Sequence, residues 1–440
     1  MNVNFAERAH NHNWKLDPIV RSLLDTDFYK LLMLQFIWKN FPRTHVTSEV
    51  HNRTLRVRLA KRVDARALRD QLDHVRTLRL LKSELVWLAG NTFYGTKQIF
   101  EPAFLEWLEH DFRLSDYDIS EQDGQFHLIF SGLWSEVTMW EVYALAIVSE
   151  MKTRAALSEL SELELDVLYA RAKTRLWDKI EKLRPVEGLR LSDFGTRRRH
   201  SFLWQEYAVE AMQSALGERF TGTSNTAIAY KHNLEAIGTN AHELPMAMAA
   251  LASTGSDEDL RASQYRVLEL WQRSYGGELL IMLPDTFGTT QFLDGAPRFA
   301  ALWTGERVDS KDPFLAGDEY IRWLQTRGQD PKLKRLIASD GLDVDDIVAL
   351  HEYFDNRIRF SAGWGTLLTN DFRGCHPRRP AAGKDTFEPI SLVCKLTSAD
   401  GIPTVKLSDN PSKASGPTEL IERYRRVFGT PVTSEVPVLV

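Results

Sequence analysis

The chain has 440 residues, of which 43% are hydrophobic, and a formal net charge of −5. That is enough apolar sequence for a large core in two domains or in one domain with additions, and the acidic balance excludes a nucleic-acid binder, which needs a basic excess or a basic face. The start "MNVNFAERAHNHNWKLDP" has no apolar signal core, and "VYALAIV" from Val142 falls far short of the ~20 residues of a membrane span. Cys375 and Cys394 form no spacing motif and read as reduced thiols. The chain is therefore expected to be soluble and cytoplasmic, with no membrane contact.

Residues 1–15 are polar and are expected to form a flexible N-terminus. Residues 16–150 read as an N-terminal α/β domain, in which "THVTSEVHNRT" alternates like a strand and "MWEVYALAIVSEM" reads as a buried helix. From about Arg190 short apolar runs end in small polar clusters, and helical segments follow. The clusters are "LRLSDFGTRR", "AIGTNAHE", "LLIMLPDTFG", "ERVDSKDP", "RLIASDG" and "RFSAGWGT". Between them, "LWQEYAVEAMQSALG" places Trp204, Ala208, Ala211, Met212 and Ala215 on one helical face and stops at Gly217. "SDEDLRASQYRVLELWQRSYGG" opens on Ser256 and three acids and closes on glycines. Repeated strand–tip–helix units predict a parallel β/α architecture over residues 151–387. Closed as a barrel, it would gather its polar tips, His242 among them, at the face where such barrels place their chemistry. The segment 388–440 carries a hairpin around Asp400-Gly401 that is expected to return to the first domain.

The tips hold the candidate chemistry. "DFGTRRRHS" packs three arginines behind a strand end; either a small anion such as a phosphate or carboxylate offsets them, or they form a solvated basic helix start. "TGTSN", Thr221 to Asn225, offers backbone N–H groups to an anion, or a plain helix cap at Ser224 or Asn225. "SAGWGTLLTND", with Gly363, Gly365 and Thr366, repeats the first of those options. Asp285, Asp309, Asp312 and Asp340 stand at or near tips, where they bind Mg²⁺ together with substrate phosphates or cap helices. There is no zinc-type spacing, no Gly-Lys-Ser phosphate loop and no GxGxxG. Together these features describe a site for phosphorylated substrates with Mg²⁺.

With "SLLDTDFYKLLM", "LSDFGTRRRHS", "GTSN", "GTNAHE", "RVDSKDP", "SDGLD", "GWGT" and "VKLSDNPSK" in this order, the chain resembles the nicotinate phosphoribosyltransferases of the type II phosphoribosyltransferase group over nearly its whole length. The resemblance implies an irregular parallel β/α barrel with a sandwich-like N-terminal α/β domain. It implies condensation of nicotinate with 5-phosphoribosyl 1-diphosphate to nicotinate mononucleotide and diphosphate, in NAD salvage. In the bacterial and yeast type this is coupled to ATP hydrolysis through a phosphohistidine, whose place here is His242, with Mg²⁺ present. A homodimer with a shared site is also implied, completed across the interface by Asp27 and Tyr29.

On the same resemblance, Phe194 and a partner copy's Tyr29 sandwich the pyridine ring, with Arg197 and Thr239 near its carboxylate. Arg307 and Asp309 hold the phosphoribosyl donor; Gly363, Gly365 and Thr366 cradle its 5-phosphate; Ser224 and Asp340 complete the substrate site. Asp309 and Asp340 are the implied Mg²⁺ ligands. Glu243 either orients the imidazole or is a surface acid. The rivals are a nicotinamide phosphoribosyltransferase and a non-catalytic phosphate-ligand sensor, which would need neither His242 nor the acids. One departure stands out, since the family usually reads Arg-x-Asp-Ser-Gly-Asp where this chain has Lys311 at the glycine. Either the turn is ordinary with the ammonium in solvent, or Lys311 adds a cation near the diphosphate or ribose.

Overall fold

The computed structural model describes residues 14–93, 97–378 and 385–430. Most of the N-terminal run expected to be flexible, and the last ten residues of the C-terminal segment, lie outside the described residues. Trp14 lies inside them and is buried, its ring 5.4 Å from those of Tyr169 and Trp204.

Two sheets organise the chain. The first is antiparallel. Its central strand β1 (His45–Asn52) buries alternate residues, as its alternating sequence requires. It pairs with β5 (Gln125–Leu133) on one side and with β12 (Leu392–Ala399) on the other; β4 (Tyr117–Gln122) and β13 (Ile402–Pro403) form the edges. A separate ribbon joins β2 (Thr92–Phe93) to β3 (Lys97–Gln98). Asp400 and Gly401 turn β12 into β13 with φ of 47° and 76°, the left-handed pair that a tight hairpin needs. This hairpin brings the far end of the chain back against β1.

The second sheet is parallel, with six strands: β6 (Leu191–Asp193), β7 (Phe220–Thr223), β8 (Ile281–Met282), β9 (Gly305–Val308), β10 (Arg335–Ala338) and β11 (Arg359–Trp364). Their order is β7-β6-β11-β10-β9-β8. Five of the six expected strand tips follow these strands, and one expectation is corrected. "AIGTNAHE" follows no strand; the strand in its place is β7, which ends in "TGTSN". The segment 235–240 instead lies along β7 through a single bridge, Thr223 to Ala236, and Asn240 Nδ2 donates to Ile281 O of β8 at 3.2 Å. It thus fills the wall between the two edge strands without a regular ladder. Crowding forces this course. A Cβ on Gly222 would fall 2.1 Å from Glu235 O, and one on Gly238 would fall 2.7 Å from Tyr29 N.

The intervening helices follow their sequence signals. Helix Phe202–Leu216 is capped by Ser201, which accepts from Trp204 N, and ends at Gly217 with φ 57°. Helix Asp257–Ser274 opens with a capping box between Ser256 and Asp259. Helix Trp140–Leu157 is buried on all sides over its first half, as an apolar run without a polar face must be.

One junction positions the site. Phe28 N donates to Ser224 O at 2.7 Å and Thr226 N to Thr26 O at 2.8 Å, so the start of helix Phe28–Asn40 is stitched to the tip of β7. Beneath the stitch, fully buried Arg199 holds Asp25 with two bonds of 2.5 and 2.7 Å and Glu150 with a third of 2.7 Å. Asn225 Nδ2 donates to the same Asp25 at 2.8 Å. Of the three consecutive arginines, this one serves the junction and takes no part in anion binding. Among the described residues, no helix is long and apolar enough to cross a membrane.

Candidate active site

The parallel strands and the N-terminal segment enclose a cavity of about 990 Å³. His242 projects into it from the start of helix Glu243–Ala252. Its Nε2 lies 3.0 Å from Asp309 Oδ2 and 3.6 Å from Asp285 Oδ1, and its Nδ1 lies 3.0 Å from Thr286 Oγ1. An ionised carboxylate can only accept, so Nε2 carries the proton and Nδ1 keeps the lone pair, accepting from the Thr286 hydroxyl. Burial pushes His242 below the ordinary imidazole range, against the pull of Asp285 and Asp309. Burial also works against ionisation of Asp309, but the His242 hydrogen bond and the Arg307 and Lys413 charges hold its carboxyl well below the usual range. A neutral imidazole therefore faces an ionised carboxylate.

One end of the cavity suits a flat ring. Phe194, at the tip of β6, and Tyr29 both line it, with Arg197 beside them. Arg197 Nη1 donates to Glu141 at 3.1 Å, and the side chain, 40% exposed, keeps further N–H groups for a ligand. The opposite rim is cationic. Arg53, Arg198, Lys395, Lys406 and Lys413 line it, drawn from β12 and the segments after β1, β6 and β13. Burial lowers Arg198 to about 10 and pushes Arg53, Lys395 and Lys406 down as well. Cations crowded in this way, each partly stripped of water, suit a polyanion such as a diphosphate or triphosphate.

Residues 189–432 match the nicotinate phosphoribosyltransferase (NAPRTase) family model, and residues 24–149 match the model of the family's N-terminal domain. The chain belongs to the nicotinate phosphoribosyltransferase family. Among solved structures, the nicotinate phosphoribosyltransferase of Vibrio cholerae is 31% identical with a TM-score of 0.83, over 95% of this chain and 96% of that one. That of Porphyromonas gingivalis is 28% identical with a TM-score of 0.79, over 93% and 100% of the two chains. A putative one from Saccharomyces cerevisiae is 25% identical, also at 0.79, over 94% and 99%. The chain is thus an enzyme of nicotinate phosphoribosyl transfer in NAD salvage, on the expected mixed α/β fold.

The structure places most of the nicotinate phosphoribosyltransferase residues expected from sequence around the cavity: Asp27, Tyr29, Phe194, Arg197, Ser224, Thr239, His242, Glu243, Arg307, Asp309, Asp340, Gly365 and Thr366 line it. Several assignments change. Asp27 and Tyr29 reach the cavity of their own chain: Asp27 accepts from Ser224 Oγ at 2.6 Å and Tyr29 Oη donates to Glu141 at 3.4 Å. The stitch to β7 fixes both residues in place. Ser224 is accordingly not the helix cap; Asn225 is, accepting from Ile228 N at 3.0 Å. Glu243 does not touch His242. It accepts from Lys30 Nζ at 2.5 Å and Trp134 Nε1 at 2.6 Å, since consecutive helical residues point in different directions.

Gly363 does not face the cavity. A Cβ there would fall 2.2 Å from the Phe194 ring, so the glycine makes room for the ring. Asp340 is held by Lys413 Nζ at 2.5 Å, which leaves Asp285 as the better companion of Asp309 for a metal. His242, Asp285 and Asp309 offer ligand atoms all within 4.8 Å of one another, and buried Asp285 Oδ1 has no hydrogen-bond partner. Asp312 caps helix Pro313–Thr326, accepting from Leu315 N at 3.0 Å.

At Lys311 the turn is ordinary, but the ammonium is neither in solvent nor at the substrate site. Its backbone lies outside the left-handed region, and its side chain, only 10% exposed, pairs with Glu319 at 2.5 Å on that same helix, away from the cavity. Replacing Lys311 with Gly is therefore expected to lower the melting temperature, with KM for the phosphoribosyl donor unchanged at low and high salt. A salt-sensitive rise in that KM would return the lysine to the site.

Sequence reasoning missed Thr286, Arg53, Lys395, Lys406 and Lys413. The last two sit within "VKLSDNPSK", a motif legible in the sequence whose lysines point to phosphate chemistry once the hairpin is known to fold over the tips.

Proposed function

We propose that the enzyme condenses nicotinate with 5-phosphoribosyl 1-diphosphate, coupled to ATP hydrolysis through phosphorylation of His242 Nδ1. The observation that carries this reading is the pairing of a neutral imidazole with ionised Asp309 on Nε2, which leaves Nδ1 as the nucleophilic nitrogen. In the phosphorylation step the Nδ1 lone pair attacks the γ-phosphorus of ATP and ADP leaves. Asp309, accepting from Nε2–H, stabilises the positive charge that develops on the ring. The Thr286 hydroxyl, no longer needed at Nδ1, is free to donate to the transferred phosphoryl oxygens.

Nicotinate is a planar anion with a weakly nucleophilic ring nitrogen. Phe194 and Tyr29 of the same chain sandwich the ring, and Arg197 with Thr239 meets its carboxylate, which favours the acid over the neutral amide. Arg307 and Asp309 hold the phosphoribosyl donor, and Gly365 and Thr366 receive its 5-phosphate. The lysines and arginines of the cationic rim receive the diphosphate. The donor set of Asp285 and Asp309 fits Mg²⁺, which when bound neutralises charge on the leaving diphosphate. The departing sugar is cationic in character, so positioning and electrostatics supply most of the acceleration. Phosphohistidine adds a charge of about −2 beside Arg307, Lys406 and Lys413, drawing them into the geometry that binds substrate.

The experiment is the intact mass of the protein after incubation with ATP and Mg²⁺. A gain of one phosphoryl group that mild acid removes supports the reading, and no gain counts against it. Mixing Tyr29→Ala with Arg197→Ala protein addresses the same-chain site. No activity is expected to return, because both residues serve one cavity; recovery toward a quarter of the wild-type sites would mean that Tyr29 crosses to a partner.

A further inference from the structure

Behind the ring pocket a lysine is buried where packing alone asks for none. Helix Phe28–Asn40 opens with "FYKLLMLQFI", and every residue of that run is buried, Lys30 fully. A methionine would fill the same space without stripping an ammonium group of water, a cost that an ion pair seldom repays in full. The charge itself calls for a reason.

The partners of Lys30 supply one. Its Nζ lies 2.7 Å from Glu141 Oε2, 2.5 Å from Glu243 Oε2 and 3.4 Å from Thr138 Oγ1. Those three residues line the cavity, and the ammonium stands behind them. Glu141 is also the acid that meets the ring pocket. Its Oε1 accepts from Arg197 Nη1 at 3.1 Å and its Oε2 from the Tyr29 hydroxyl at 3.4 Å. Asp27 stands 3.9 Å from the same guanidinium. Burial works against ionisation of Glu141, but Lys30 and Arg197 hold its carboxyl below the usual range. Burial opposes the charge of Lys30 too, yet Glu141 and Glu243 keep it protonated.

This balance decides what the pocket can take. Arg197 and Glu141 alone cancel, and whatever charge Asp27 carries tips the sum against an anion. Such a pocket would accept a neutral ring and repel a carboxylate. Lys30 adds the missing positive charge from behind the wall, where it takes no space from the ring. Glu243 draws on the same ammonium and so limits how much of its charge reaches Glu141.

We propose that Lys30 is the positioning residue that fits the ring pocket to an acid: by neutralising Glu141 it leaves the charge of Arg197 to the nicotinate carboxylate, and so sets the preference for nicotinate over nicotinamide. The proposal rests on the ring pocket assigned above.

Steady-state kinetics on the full chain, with nicotinamide as a competing neutral ring, test it. Lys30→Met is expected to raise KM for nicotinate roughly tenfold, the effect of one charge acting through a partly buried medium. KM for the phosphoribosyl donor and the inhibition constant of nicotinamide should stay put. Adding Glu243→Gln to Lys30→Met restores the charge balance and should recover most of the nicotinate KM, which a packing defect would not do. Glu243→Gln alone should lower that KM about threefold, and it decides the matter should Lys30→Met fail to fold. An unchanged nicotinate KM in Lys30→Met overturns the proposal. So does a rise that the donor or nicotinamide shares equally, or a nicotinate KM that Glu243→Gln leaves unchanged or raises. Arg197→Ala separates the two readings. If it spares nicotinate, the ring pocket itself is misplaced and Lys30 loses its role with it; if it damages nicotinate use while Lys30→Met does not, only the role of Lys30 falls.

Discussion

His242→Ala is expected to abolish ATP hydrolysis and phosphoenzyme formation while leaving slow, ATP-independent transfer from phosphoribosyl diphosphate. His242 is the neutral nitrogen base that stands between Asp309 and Thr286, and in the proposed mechanism its removal leaves the γ-phosphoryl group of ATP without a nucleophile. The groups that meet the ring, the ribose and the phosphates stay in place, so the sugar chemistry keeps part of its rate. Phosphate release and intact mass, measured on the variant, separate the two activities, and undiminished ATPase would take His242 out of its role. The pH profile gives a second check. With its proton affinity lowered by burial, His242 is nucleophilic down to a pH below the ordinary imidazole value of about 6.5. Phosphoenzyme formation in the wild type should thus hold level as pH falls to that value and decline only beneath it.

What the sequence made legible follows from range. Strand tips, caps and the hairpin turn are local, and the chemistry at Gly217, Ser256 and Asp400-Gly401 set them correctly. "AIGTNAHE" misled because its apolar approach resembles a strand, whereas its path is dictated by distant contacts: Glu235 O over Gly222, and Tyr29 against Gly238. Glu243 misled in another way. Adjacency to His242 in sequence implied contact, but helical geometry turned it to Lys30 and Trp134, more than 100 positions away. The cationic rim was hidden for the same reason, since Arg53, Arg198, Lys395 and Lys413 meet only because β12 crosses back to β1. Residue types at tips announced phosphate chemistry; which ones converge depends on contacts between distant parts of the chain.

Gly363→Ala is expected to damage nicotinate use and spare the phosphoryl step. The added Cβ would lie 2.2 Å from Cε2 and 2.3 Å from Cδ2 of Phe194, far inside contact distance, so one of the two must move. Gly363 is fixed in β11, where it pairs with Ser192. Phe194 is fixed at its backbone by the bond from its N–H to Trp364 O at 2.8 Å, so the ring itself must swing aside. Lost stacking raises KM for nicotinate by roughly 3- to 10-fold. A displacement of about 1 Å in the reacting ring costs about 100-fold in turnover. Phosphoenzyme formation, which the proposed mechanism assigns to His242, Asp309 and Thr286, should remain near the wild-type rate. The double variant with Phe194→Ala identifies the cause: if the clash acts through the ring, adding Gly363→Ala to Phe194→Ala changes little more. Should Gly363→Ala instead raise KM for the phosphoribosyl donor with nicotinate unaffected, the glycine belongs to the phosphate cradle after all, and Phe194 would lose its place as the base of the ring pocket.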